Sequence, residues 1–219
     1  MNPGLRVSEY CERIDASFWA EPANAVSNIA FIATAIGIFW LLPRKGPRDY
    51  PVLLLIALTV LMGIGSFLYH TTPSRLTAIA DVLPIGLFIY ASFFIAIMRF
   101  LALRLITTIW VTAAFIAVSL AVSMSLQHVI GTSAGYAPAL LALFGVGLVT
   151  LPYRRKIGTG MIMTGLMFTL SLSLRTMDYA VCDWFPIGTH FMWHALNSVV
   201  AYMLLRLIVH ARRPGTFEH

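Results

Sequence analysis

The sequence predicts an all-α polytopic membrane protein: one domain, a bundle of seven transmembrane helices, with the N-terminus outside and the C-terminus cytoplasmic. Three observations carry this reading. Of 219 residues, 59% are hydrophobic and only 11% charged, with a mean hydropathy of +0.82, which excludes an ordinary soluble globule. Seven apolar runs are each long enough to cross a hydrocarbon core as a helix, which takes about 20 residues, and none alternates as a barrel strand must. When the runs are threaded in order, 11 of the 15 Lys and Arg residues fall on one side, the mark of a cytoplasmic face.

Taken in order, residues 1–23 hold Glu9, Glu12, Arg13, Asp15 and Glu21 but no apolar h-region. They read as an outer segment of the mature protein, not a cleavable signal. The first run, 24–42, ends at Arg44, Lys45 and Arg48. The second, 51–70, returns outward and finishes in GIGSFLYH. After a Thr-Thr-Pro turn the third, 79–98, opens in ADVLP and ends at Arg99. The fourth, 104–124, and fifth, 136–152, are joined by an outer turn that holds His128, and the fifth ends at Arg154, Arg155 and Lys156. The sixth, 159–176, leads outward to Arg175. The seventh, 189–210, opens in THFMWH and closes at Arg206, before a cytoplasmic tail, 211–219, with Arg212 and Arg213. No soluble domain, linker or low-complexity segment is left over. The net charge of +6 therefore reads as anchoring to anionic inner-leaflet lipid, and no nucleic-acid partner is expected.

The carboxylates are distributed the other way. Seven of the nine, Glu9, Glu12, Asp15, Glu21, Asp81, Asp178 and Asp183, fall at the outer side, with Asp49 and Glu218 inside. Both cysteines, Cys11 and Cys182, fall there too, either stapled together in an oxidising compartment or as two separate thiols. Chemistry is therefore expected in the outer half.

The polar residues within the runs point to its kind. Ser66 and His70 are four apart and share a helix face, as do His190 and His194. Asp81 lies one turn into the third run. All five sit at the outer ends of the second, third and seventh runs, hence at one depth. Ionisable groups there cost about 2.5–3.5 kcal/mol each on insertion scales, which argues against mere packing. Three imidazoles with an open fourth position are the usual ligand set of a catalytic zinc. Asp81 is then placed to accept a proton from water that zinc acidifies, and Ser66 to donate a hydrogen bond to an oxyanion. His128 is set aside as a residue of a solvated turn, and His210 and His219 lie on the other side.

The stretches CERIDASFWAEPANAVSN, GIGSFLYH, ADVLP and HFMWHALNSVVAY, in that order over residues 9 to about 203, resemble the alkaline ceramidases of the seven-helix hydrolase superfamily that includes the adiponectin receptors. The S-x-x-x-H, Asp and H-x-x-x-H set is specific to the superfamily, and WAEPxNxxSN to the ceramidase branch. The resemblance implies an intramembrane amidase that releases a fatty acid and a sphingoid base from ceramide or a related lipid amide. It implies zinc on His70, His190 and His194, Asp81 as proton acceptor, Ser66 steadying the substrate carbonyl, and a disulfide between Cys11 and Cys182.

It also implies a calcium site in the N-terminal segment, made by Glu9, the Tyr10 carbonyl, Glu12 and Glu21, with Asp15 a further donor; a family Asn ligand falls at Ile14. The family's DELP is DVLP here, which bears on substrate detail rather than on the metal. The compact chain with minimal loops looks like a bacterial member, set in the inner membrane with its active site toward the periplasmic half. Two rivals use the same helices. A receptor-like protein would bind zinc and lipid without turnover, but the short cytoplasmic loops leave little surface for a signalling partner. A metal transporter would need polar residues through the full depth, where the inner halves offer scattered Ser and Thr.

Overall fold

A computed structural model describes residues 10–211, in which only helices and their connecting turns occur. In chain order these are α1 (Pro22–Ser27), α2 (Ile29–Leu41), α3 (Tyr50–Thr71), α4 (Arg75–Phe100), α5 (Leu105–Ile130), a 3₁₀ turn (Gly131–Tyr136), α6 (Ala137–Thr150), α7 (Arg155–Val181) and α8 (His190–His210). Six helical stretches are long and apolar enough to cross a membrane, and large side chains such as Trp40, Leu76, Trp110 and Val129 lie exposed on the outer surface. The chain is an integral membrane protein.

The expected seven spans are six by length because α5, the 3₁₀ turn and α6 run on as one helical stretch, Leu105–Thr150. Within it α6 has 14 residues and rises about 21 Å, short of the roughly 30 Å hydrocarbon core. The fourth run also continues past its expected end to Ile130, so His128 sits in the last turn of α5 and not in a loop. The first run is broken at Asn28. There the Asn28 amide reaches back to Ala25 O at 3.3 Å, while the Ser27 hydroxyl and Asn28 Nδ2 both donate to the Asn24 carbonyl, at 2.9 and 2.8 Å. Short polar side chains have displaced the helical ladder.

Packing sets α3 along α4, α6 along α7, α7 along α8, and α2 against both α3 and α8. The α3–α4 seam is closest at Gly65, where a Cβ would overlap the Ala80 carbonyl. Only glycine permits that approach, and it brings the next residues, Ser66 and Asp81, to one side of the seam. At the far end the core is dry: Ile38, Val52, Leu55, Ile97, Leu205 and Ile208 are at most 1% exposed. Arg99 clamps that end, with Nη2 and Nη1 on the two Asp49 oxygens at 2.6 and 3.0 Å and Nη1 also on Ile208 O at 3.0 Å. Arg154 donates to the Arg99 carbonyl at 2.9 Å. Residues 49, 99, 154 and 208 thus share one end, and the site occupies the other.

Candidate metal centre

His70, in the last turn of α3, and His190 and His194, in the first turns of α8, converge with one ligand atom from each ring within 4.8 Å of the others. All three are at most 2% exposed. They are the only such group among the described residues. His70 Nε2 and His190 Nδ1 are buried with no hydrogen-bond partner, a costly state for a ring nitrogen unless something else completes it. A metal ion would do so, and the donor set, three neutral imidazoles from two helices, fits zinc.

The neighbours of these rings set their tautomers. His70 Nδ1 lies 2.5 Å from Glu21 Oε2; the carboxylate accepts, so Nδ1 carries the proton and the Nε2 lone pair faces the centre. His194 Nδ1 lies 3.1 Å from the Asn24 carbonyl and 2.8 Å from Ser27 Oγ. Since the Ser27 hydroxyl donates to that same carbonyl, both oxygens accept from Nδ1–H, and Nε2 is again free. The break at Asn28 is what leaves the Asn24 carbonyl available. His190 is held by its backbone: its amide and that of Thr189 donate to Asp178 Oδ1, at 2.9 and 2.6 Å. The Tyr10 ring stacks on His190 with centroids 3.8 Å apart. Such partners fix ring orientation and raise metal affinity.

Beside the rings is a small polar cavity lined by Ser66, Asp81, Arg175, His190, His194 and Asn197, among others. Ser66 Oγ is 3.4 Å from His194 Nε2 and also faces the Asp81 carboxylate. The cavity shares Met62, Ile85, Tyr136 and Asn197 with a larger apolar one that continues into the bundle past Phe88, Val146, Met161 and Leu204. The larger cavity is lined almost wholly by apolar side chains, the kind of surface that an apolar ligand takes.

Residues 10–21 cross this end as a strap. Cys11 and Cys182 form a disulfide, Cα to Cα 5.3 Å, and the Cys11 amide donates to Asp178 Oδ2 at 3.0 Å. One carboxylate therefore holds both the strap and the start of α8. Gly188 is obligatory there: its φ is +70°, and a Cβ would overlap the Asp178 carboxylate and lie 2.8 Å from Cys11 Cβ.

The residues expected to hold calcium do not fit it as placed. Glu9 lies outside the described residues. The two Glu12 oxygens accept the Ala23 and Asn24 amides at 2.7 and 2.8 Å. Asp15 turns outward to the Ser17 amide at 2.8 Å. Glu21 Oε1 pairs with Arg13 Nε, and Oε2 takes Asn24 Nδ2 at 3.0 Å as well as His70. The cation in this cluster is Arg13, 6% exposed, whose Nη2 also donates to the His70 carbonyl at 2.7 Å. Calcium wants six to eight oxygens, whereas here a guanidinium already occupies the carboxylate. Burial alone would raise the Glu21 carboxyl, but hydrogen bonds from His70, Asn24 and Arg13 outweigh it and hold it below the usual range. Burial pushes the Glu12 carboxyl up, against its two amide bonds.

Sequence reasoning placed the three histidines, Ser66, Asp81 and both cysteines, and the structure brings them to one end. It gave no role to Arg13, Asn24, Ser27 or Asp178. The available signal was the spacing of Glu21, Asn24, Ser27 and Asn28, three and four apart, which marks one polar face on an apolar helix.

A family model described as Ceramidase matches residues 7–215, almost the whole chain. A search of curated proteins returns no match. That match, over a chain whose buried histidine triad lies at one end of an apolar bundle, means that the chain belongs to the ceramidase family and is a hydrolase of the amide bond of ceramide.

Proposed function

We propose that this protein is a zinc-dependent intramembrane amidase, cleaving the N-acyl bond of ceramide or a related lipid amide in the outer half of the membrane. The observation that carries it is the buried triad of His70, His190 and His194, with ring nitrogens left unpaired, beside a small cavity that His190 and His194 line and that shares Met62, Ile85, Tyr136 and Asn197 with a larger apolar one. A zinc held by the triad supplies Lewis acidity toward the amide carbonyl and lowers the pKa of water to about 7.

The chain's own groups do the rest. The apolar cavity takes the acyl tail and so places the amide beside the triad. Asp81 takes the proton of the attacking water and returns it to the leaving amine. The Ser66 hydroxyl donates to the carbonyl oxygen as charge builds there. Trp193, buried 3% exposed between Tyr136 and Phe168, keeps the wall between the two cavities rigid. Arg13 does for the strap what a bound calcium would do, and the Cys11–Cys182 bond fastens it. As to topology, α5 and α6 are separate passes, so a single domain, 1–219, crosses seven times, N-terminus outside and C-terminus cytoplasmic. In a bacterial inner membrane the site would face the periplasmic half.

The test is release of fatty acid from a short-chain fluorescent ceramide by detergent-purified protein, before zinc stripping, after it, and after readdition. Zinc-restorable release is expected. Asp81→Asn should keep one zinc per chain and lose about 10²- to 10⁴-fold in rate, while His194→Ala loses metal and turnover together. Full activity in Asp81→Asn removes it from the proton role. A zinc-replete wild type that releases nothing from any lipid amide leaves a binding protein instead.

A further inference from the structure

Arg175, near the outer end of α7, is a charge that the reaction so far described does not use. Its guanidinium lines the polar cavity together with Asp81, His190 and His194. Nη1 donates to Thr132 Oγ1 and Ser133 Oγ, each at 3.2 Å. The Tyr136 and Trp193 rings lie 5.2 and 5.8 Å from Cζ, the Tyr136 side chain is also a hydrogen-bond partner, and Asp81 is the carboxylate that acts on the guanidinium across the cavity. Nε is buried and has no partner. The ion pairs among the described residues join Arg13 to Glu21 and Arg99 to Asp49, and neither includes Arg175.

A guanidinium is charged at every accessible pH. Within the depth of a membrane such a charge is costly and marks function by default. The charge count of the cavity sharpens the point. With a divalent ion on the triad, the ion and Arg175 together exceed the one carboxylate, Asp81, by two positive charges. Neutral ceramide brings nothing to balance them. A carboxylate does, and it matches the planar edge of a guanidinium that offers a free Nε–H.

We propose that Arg175 is a specificity-determining residue that binds an anionic group on the amine half of the substrate. The preferred substrate class is then an N-acylated amino acid or a lipid amide of that kind, with a carboxylate next to the scissile amide. This rests on the amidase reading above. The acyl tail would lie in the apolar cavity, and the amide and the carboxylate in the small cavity that Arg175, Asp81, His190 and His194 line.

The experiment compares two amides with the same acyl chain, an N-acylglycine and a ceramide, on zinc-loaded full-length protein in one detergent. Wild type, Arg175→Gln and Arg175→Lys are assayed, each checked for one zinc per chain. Wild type should favour the N-acylglycine in kcat/KM. Arg175→Gln should lose roughly 10- to 100-fold on that substrate, the usual scale of a charged hydrogen bond, with ceramide changed less than about threefold; Arg175→Lys should recover part of the loss. Equal losses on both substrates would make Arg175 a general aid to the oxyanion and overturn the proposal, as would a wild-type preference for ceramide. If wild type hydrolyses neither, displacement of a fluorescent fatty-acyl probe by N-acylglycine decides. Displacement that weakens tenfold in Arg175→Gln keeps the anion site while the amidase reading falls. Displacement indifferent to Arg175 overturns the site itself.

Discussion

At the scale of single residues, the geometry of the histidine triad depends on groups outside it. Ser27 and the Asn24 carbonyl hold one tautomer of His194, and Glu21 holds that of His70. Ser27→Ala should leave the fold intact, since the residue is partly exposed, yet weaken zinc by about 10- to 100-fold, the usual cost of losing a group that orients a ligand. Competition with a calibrated chelator measures it, and unchanged affinity would mean that the Asn24 carbonyl suffices alone. Arg13→Gln leaves the buried Glu21 without its charge partner, a loss of about 3 kcal/mol or more, read as a lower unfolding temperature in detergent. Added calcium should not restore it, and EGTA should not affect wild type. The histidines were legible in the sequence because a bilayer excludes imidazole without a reason. Arg13 was not, because a charged residue in a polar segment has an ordinary explanation, and only the fold shows it buried against Glu21.

At the scale of elements, the site is a product of how closely two helices approach. Gly65 lets α3 settle onto the Ala80 carbonyl of α4, and the neighbours Ser66 and Asp81 meet as a result. Gly65→Val should force the pair apart, reducing turnover by orders of magnitude, whereas Gly86→Ala, on the same α4 in open space, should be close to neutral. Activity and zinc content measured together separate the two effects: zinc retained with turnover lost is the expected pattern for Gly65, because the histidines lie on α8 and at the end of α3. The sequence pattern located α3, α4, α7 and α8 within a few residues. The first run is likewise one span, Pro22–Leu41, but the sequence pattern did not show the local break at Asn28 within it, nor that the fourth and fifth runs are joined through the helical turn Gly131–Tyr136. Hydropathy averages over a window and cannot register side chains that compete locally with the backbone ladder.

At the scale of the molecule, a small cavity beside the histidines adjoins a larger apolar one in the bundle interior, with Met62, Ile85, Tyr136 and Asn197 in common. The apolar part runs past Ala201 and Leu204 toward the dry end of the bundle. Ala201, 2% exposed, narrows that passage when enlarged. Ala201→Phe should shift preference from long toward short acyl chains by about 10-fold or more, given that a single misfit methylene is worth about 1–3 kcal/mol in an apolar pocket. A panel of amides of graded chain length reads it, and an unaltered profile would place the tail elsewhere. No pattern in the sequence announces this cavity, because its walls are the same Leu, Ile, Phe and Val that face lipid.

The bond between Cys11 and Cys182 joins residues 171 apart in sequence, and the ribosome delivers them in that order. Two of the three histidines of the triad, His190 and His194, emerge later still, on α8. The strap, made first, can meet His70 early but must wait for nearly the whole chain before its disulfide partner exists, and no product that lacks α8 can assemble the triad. A hydrolase that would threaten the membrane being built around it is thereby inert until its last helix is in place.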